Sequence, residues 1–211
     1  AFLTACYTGM RTGEVFALTW NDIDLKNRII KINKTVYAKD KEKKGRWYLG
    51  TTKTTGSCRE IYICDTLYLV LSNYKKSQNE YKKVYGKKYK QYVLEQVRNK
   101  YGKLIEYRVA ENNYRSNRVE MVFTRKDGTY SGTDIVRYPF KIIHNELGIK
   151  CRFYDLRESF ATISLRNGSE IKDIAEVLGH KRIETTEKYY ISSTYEDKKK
   201  VIKTFEQKII F

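Results

Sequence analysis

The sequence predicts a mixed α/β fold, mainly α-helical with a small antiparallel β-sheet. Helix-period apolar runs occupy both ends of the chain, and short β-branched and aromatic runs separated by Lys-rich and Gly-containing turns cluster between them. With 211 residues, 41% of them hydrophobic, one substantial core can be buried, so a single domain is expected.

Residues 1–8 read as a helix broken at Thr8-Gly9, and "RTGEVFALTW" as a second helix turning Val15, Phe16, Leu18 and Trp20 inward. The period then changes. "RIIKINKTV", "RWYLGTT" and "REIYICD" read as the strands of one small antiparallel sheet. From Thr66 to about Lys103 a helical pattern returns, with Leu67, Leu71, Tyr74, Tyr81, Tyr85, Tyr89 and Tyr92 mostly three, four or seven apart. "VEMVFTR" reads as one more strand, and "GTDIVRYPFKIIHNELG" as a helix disturbed by Pro139, the only proline. "YDLRESFATISLRNG" is a helix with a Gly stop. "SEIKDIAEVLG" is a helix with a Ser cap and an end at Gly179, and "IETTEKYY" is a last short helix before the tail 194–211. The chain opens apolar and helix-like, without an initiator Met or an N-cap, which suggests a piece of a longer protein.

Charge narrows the partners. Lys and Arg total 42 against 25 Asp and Glu, a net +17 with a pI near 9.6, which favours a polyanion and nucleic acid first. The segment Lys75 to Arg118 holds 13 basic and 4 acidic residues, +9 of that total. Its tyrosine stripe reads either as core packing or as a stacking platform, and its lysines as a solvated face or a DNA contact. No apolar run approaches the ~20 residues of a membrane span, and no signal peptide opens the chain. Cys6, Cys58, Cys64 and Cys151 form no C-x-x-C pair, and only His144 and His180 could join them, so reduced thiols in a cytoplasmic protein are expected and a zinc site is not.

The candidate chemistry lies in four short motifs. Arg11 opens a helix with Glu14 three residues on, and Arg157 lies near Asp155; alone, such pairs read as surface ion pairs. In context, "TGMRTGEVFALTWNDID" resembles the first arginine box of the tyrosine recombinases, the integrases of phages and mobile elements. "TTKTTGSCREIYI" resembles their sheet-lysine turn, "FYDLRESFATISLRNG" their second arginine box, and "LGHKRIETTEKYY" their histidine and nucleophile box. The four occur in the family's order, and the resemblance covers residues 1–211 as a catalytic domain, without the family's N-terminal DNA-binding domains.

The resemblance implies that Tyr189 is the nucleophile, His180 an active-site histidine nine residues earlier, and Tyr190 a packing neighbour. It implies a transesterification in which the tyrosine oxygen attacks a DNA phosphate, forms a 3′-phosphotyrosyl link and frees a 5′-hydroxyl, with no cofactor, metal or nucleotide. Arg11 and Arg157 would offset the charge gathered on phosphorus, and Lys53 would protonate the leaving oxygen. His180 would donate to the phosphate, and Glu14 would hold Arg11. Two positions depart from the family's pattern: Tyr154 and Glu158 stand where histidines are usual. A phenol is a poor base at neutral pH, so Tyr154 is expected to hydrogen-bond in the site rather than take a proton.

The family resemblance also implies double-stranded DNA as partner and a tetramer assembled on two duplexes. The tail's Val201, Ile202, Phe205 and Ile209 would dock on a neighbouring protomer or on their own domain. Two other readings remain. "IKDIAEVLGHKRIETTEKYY" is similar to a helix-turn-helix, with Ala175 and Gly179 at its turn, which would make the protein a DNA-binding regulator; a type IB topoisomerase uses similar chemistry.

Overall fold

A computed structural model describes residues 1–38, 46–51, 58–112, 117–180, 199 and 203. Helix α1 (Phe2–Thr8) stops at Gly9, which adopts φ +61° and returns its N–H to Ala5 O. That position must be glycine for a second reason: a Cβ there would lie 2.6 Å from Leu178 and 2.7 Å from Phe160, which binds the start of the chain to its last described helices. Helix α2 (Thr12–Phe16) begins after an extended Arg11, whose backbone N–H donates to the Glu14 carboxylate at 2.9 Å. As expected, Val15, Phe16, Leu18 and Trp20 are buried, but α2 is one turn long and gives way to a 3-10 turn at Trp20–Asp22.

The strands form two antiparallel sheets where one was expected. Strands β1 (Ile23–Asp24), β2 (Ile29–Ile32) and β5 (Arg59–Tyr62) make one, in the order β1-β2-β5, with Ile30 opposite Ile61. Strands β3 (Lys34–Tyr37), β4 (Trp47–Thr51), β6 (Tyr92–Arg98) and β7 (Leu104–Glu111) make the other, in the order β3-β4-β7-β6. The run read as one strand, "RIIKINKTV", changes sheets at Asn33. The Lys34 ammonium pins that bend by donating to Asp22 at 2.6 Å and to Asn33 at 2.7 Å.

Helix α3 (Asp65–Tyr85) ends at Gly86, well short of Lys103. Leu67, Leu71 and Gln78 line its buried face; Tyr89 and Tyr92 are buried from other elements, and the tyrosine spacing ran on beyond the helix by coincidence. Residues 92–98 instead pair with β7, where Glu95 faces Arg108 directly and binds it. "VEMVFTR" makes only isolated bridges, Val119 to Tyr92 and Met121 to Thr19. Its Met121, Val122 and Phe123 are core residues, and Phe123 meets Phe16 at 5.9 Å between ring centroids.

After a 3-10 turn at Gly132–Val136, helix α4 (Arg137–Glu146) carries Pro139 in its first turn, where the missing N–H has no helical partner to lose. Pro139 therefore does not disturb the helix. Helix α5 (Asp155–Arg166) is as expected; α6 (Ile171–Leu178) is capped by Glu170 rather than Ser169 and ends at Gly179 with φ +68°. "IETTEKYY" lies outside the described residues. No helix among the described residues is long and apolar enough to cross a membrane.

One buried amide ties these layers together. Gln78, 4% exposed, accepts the Trp20 indole N–H at 2.6 Å and donates to Met121 O, Val122 O and the Thr124 hydroxyl at 2.9–3.3 Å. Gln78→Leu would keep the volume but leave the indole N–H without its acceptor. We expect a loss of about 2–3 kcal/mol, read as a lower urea midpoint at unchanged slope; a loss below about 0.5 kcal/mol would show that the amide does not hold α3 in place.

Candidate active site

A helix ends with carbonyls that have no partner within it, and its dipole makes that end negative. At α6 the left-handed Gly179 lets its own N–H reach Glu176 O at 3.0 Å and the His180 N–H reach Ala175 O at 2.9 Å. The next three carbonyls are each met by an arginine. Arg59 Nε donates to Val177 O at 2.6 Å, Arg157 Nη2 to Leu178 O at 2.8 Å, and Arg11 Nη2 to Gly179 O at 3.4 Å. Residues far apart in sequence thus converge on one turn.

Arg157 is the most enclosed, at 2% exposure. Its Nη1 donates to Gly9 O at 2.7 Å, so the carbonyl of the α1 turn and the end of α6 are bridged by one guanidinium. Nη2 also lies 2.7 Å from His180 Nε2. Burial, then the neighbouring Arg11 and Arg59 charges, lowers the Arg157 pKa to about 10, which still leaves it charged at neutral pH.

Glu14 is the counter-charge. At 3% exposure it binds Arg11 Nη1 at 2.9 Å on one side and Arg59 Nη2 at 2.9 Å on the other. Burial would raise its pKa, but hydrogen bonds and charge from Arg59 and Arg11 outweigh burial and hold the carboxyl below its ordinary value. His180 goes the opposite way for an imidazole. Burial first, then the repulsion of Arg157, Arg11 and Arg59, lowers its pKa from 6.5 to about 4, so the ring is neutral at pH 7. Because arginine can only donate, the ring nitrogen facing Arg157 is the acceptor, which places the proton of the neutral ring on Nδ1.

The structure therefore brings together Arg11, Glu14, Arg157 and His180. Tyr154 immediately precedes α5, three residues before Arg157, and no hydrogen bond fixes its hydroxyl among the described residues. Asp155 is not the partner of Arg157: its carboxylate accepts the Arg152 backbone N–H at 2.8 Å and binds the Arg152 guanidinium at 2.7 Å. Glu158 lies 4.0 Å from Arg152. Lys53, Tyr189 and Tyr190 lie outside the described residues. Arg59 was not anticipated, although a signal existed: it shares its strand face with Ile61 and Ile63, both buried, while Glu60 and Tyr62 face out. A basic residue at an inward strand position demands a buried acid. Among the described residues, no group of three His, Cys, Asp or Glu is placed to hold a metal ion.

Residues 1–197 match the family described as phage integrases. The chain is 26% identical over 215 residues to a XerC-like tyrosine recombinase of Caldanaerobacter subterraneus, covering 99% of this chain and 49% of the relative. It is 28% identical over 186 residues to the ICEBs1 integrase of Bacillus subtilis, covering 88% and 42%. It thus spans about half the length of the curated relatives it matches. Among solved structures, it shares its fold with the Tn1549 transposon integrase in complex with a circular-intermediate DNA, at TM-score 0.68 and 16% identity, over 97% of this chain and 57% of that one.

Two outcomes follow from the electrostatics. Glu14→Gln keeps the shape but leaves Arg59 buried without its counter-charge, and should cost about 3–5 kcal/mol in denaturant unfolding; a near-neutral result would mean Arg59 is satisfied elsewhere. His180 has a folded pKa below its unfolded one, so the unfolded chain binds more protons between the two values. Its stabilising contribution is complete above pH 6.5 and is lost as pH falls from 6.5 towards about 4. In His180→Asn the stability curve should be flatter across that window, and an unchanged slope would contradict a neutral His180.

Proposed function

The chain belongs to the phage integrase family, and on that premise we propose that residues 1–211 are the catalytic domain of a tyrosine recombinase that cuts and rejoins double-stranded DNA. The observation that carries this reading is the meeting of Arg11 and Arg157 with His180 at the end of α6. Three guanidiniums, Arg59 included, share the single carboxylate of Glu14 and leave a surplus of positive charge beside a neutral imidazole. A phosphodiester is the anion such a site suits.

The step conserves bonds. The Tyr189 phenol oxygen forms a bond to phosphorus as the bond from phosphorus to the 5′ oxygen breaks; the phosphate stays on the 3′ oxygen, now linked to tyrosine. The phenol's proton passes to solvent water, and the Lys53 ammonium gives one of its own to the 5′ oxygen, so one proton is released as one is delivered. Charge accumulates on the non-bridging oxygens, where Arg11 and Arg157 stabilise it more in the transition state than in the ground state. His180 donates from Nδ1–H in its neutral form, and a bound phosphate offsets the arginine repulsion that keeps the ring from holding a second proton. Tyr154 contributes a hydrogen bond to the phosphate rather than a base. Rejoining reverses the step with a partner strand's 5′-hydroxyl, so no cofactor enters.

The mobile-element integrases among the relatives support integration and excision as the biological setting, on bacterial DNA in the cytoplasm. The tail 194–211 is assigned to docking between protomers in a tetramer on DNA. Its apolar face lies in residues the structure does not describe, so support for that assignment comes from the sequence pattern.

Covalent trapping tests the reaction. The protein is incubated with nicked duplexes bearing candidate element-end sites, denatured, and any DNA-linked peptide is mapped by mass spectrometry. A metal-independent adduct at Tyr189, lost in Tyr189→Phe while binding persists, is the expected result. Specific, reversible binding without an adduct would favour a regulator. Tyr154→Phe should lower the trapping rate about tenfold, the worth of one hydrogen bond to a charged oxygen; full activity would remove Tyr154 from the site.

A further inference from the structure

We propose that Arg59, which is none of the four motif arginine, lysine and histidine positions, is a positioning residue that holds the two phosphate-directed arginines and His180 in register. The proposal deepens the recombinase reading and rests on it. Three nitrogens of one guanidinium meet three different oxygens: Nε meets Val177 O at 2.6 Å, Nη1 meets Glu14 Oε1 at 3.2 Å, and Nη2 meets Glu14 Oε2 at 2.9 Å. Its side chain is 8% exposed. Through Glu14 it fixes Arg11, which the same carboxylate binds at 2.9 Å. Through Val177 it fixes the last turn of α6, whose following carbonyl holds Arg157 and whose second residue on from there is His180.

Two further features single it out from an ordinary buried ion pair. Arg59 lies flat against Gly179: a Cβ on that glycine would sit 2.9 Å from Nη1 and 3.2 Å from Cδ and Cζ, so the turn that presents His180 is shaped around the guanidinium. Arg59 also opens β5, six residues after Lys53 in sequence, and is anchored to the same Glu14 that orients Arg11. One side chain thereby meets the first arginine motif at Glu14 and the histidine motif at Gly179. A salt bridge with no such role would need only one oxygen and would tolerate lysine. Lysine has a single nitrogen and cannot span a carboxylate and a carbonyl in the fixed fork that arginine offers.

Arg59→Lys is the test, because it keeps the charge and removes the fork. Two readouts are taken on folded protein. The first is the His180 titration by NMR, assigned with His144→Gln, since the chain holds only 2 histidines. The second is the rate of adduct formation at Tyr189 on nicked duplexes bearing candidate element-end sites, beside the affinity for the same duplex. We expect the His180 pKa to rise from about 4 towards 6.5, and trapping to slow about tenfold to a hundredfold while DNA binding is unchanged. Charge is conserved, so a merely structural lysine would move neither. Glu14→Asp, which keeps every charge but draws the carboxylate back from the Arg59 fork, should give the same two changes and serves if Arg59→Lys does not fold. Unchanged His180 titration and unchanged trapping would overturn the proposal. A wild-type protein that forms no adduct would instead sink the recombinase reading, while the His180 titration would still decide whether Arg59 sets the geometry of the turn.

Discussion

The constraint on which this structure depends is the negative end of one short helix. Three consecutive carbonyls at the end of α6 need donors that α6 cannot supply, and three arginines supply them. Gathering three guanidiniums at one turn is costly in a medium less polarisable than water, since each repels the others. Three things offset that cost: the helix dipole, the single buried carboxylate of Glu14, and the hydrogen bonds themselves. The balance is deliberately incomplete. One carboxylate and a partial dipole charge do not neutralise three cations, so the turn is left seeking an anion; burial first and the neighbouring guanidiniums second lower the pKa values of Arg157 and His180.

The rest of the fold serves to bring the participants to that turn. Arg11 comes from the first 11 residues, Arg59 from a strand in the middle and Arg157 from α5, so no local segment could build the site alone. Two glycines make the approach possible. Gly9 lets the α1 turn press onto Leu178 and offer its carbonyl to Arg157, and Gly179 leaves the space that Arg59 fills. Each is also in the left-handed region, where a side chain would be strained. The hydrophobic core beneath, with Phe16 between Phe123 and Phe153, fixes the elements from which these side chains project.

How far the sequence could be read depended on the range of the interactions involved. Arg11, Glu14, Arg157 and His180 were legible because each sits in a short motif whose spacing is set by local backbone geometry, and the structure gathers them. Helices α1, α5 and α6 were legible for the same reason, with Gly9 and Gly179 as stops. Arg59 was overlooked because its meaning lies in a partner 45 residues away. The two sheets were read as one because the break at Asn33 depends on Lys34 reaching Asp22, a contact no period reveals. The helix was drawn too long because Tyr89 and Tyr92 happen to continue a helical spacing, while the decision between helix and strand at residues 92–98 was made by pairing with β7, which the pattern did not announce. Lys53 and Tyr189 fall where the structure describes nothing, and their roles rest on the motifs.

The chain's positive charge divides into two kinds with different reach. Between residues 75 and 118 the acids are already committed: Glu80 to Lys83, Glu95 to Arg108, Glu111 to Lys90, and Glu106 to the Tyr37 hydroxyl. Among the described residues of that segment Lys76, Lys87, Lys88, Lys100 and Lys103 are exposed to water, where salt screens their field within roughly 8 Å. On the proposed reading they would draw a duplex in and set its approach, but could not select one atom of it. The arginines at α6 are the reverse. Arg157 and Arg59 are buried against carbonyls and Glu14 and so weakly screened, and Arg11, its side chain 38% exposed, is held in direction by Glu14; on the proposed reading they act only on a phosphate delivered to contact distance. Encounter and chemistry are thus assigned to separate sets of cations. What fixes Arg11 in spite of its exposure is the Glu14 carboxylate, so orientation at this turn comes from that shared counter-charge and not from burial alone.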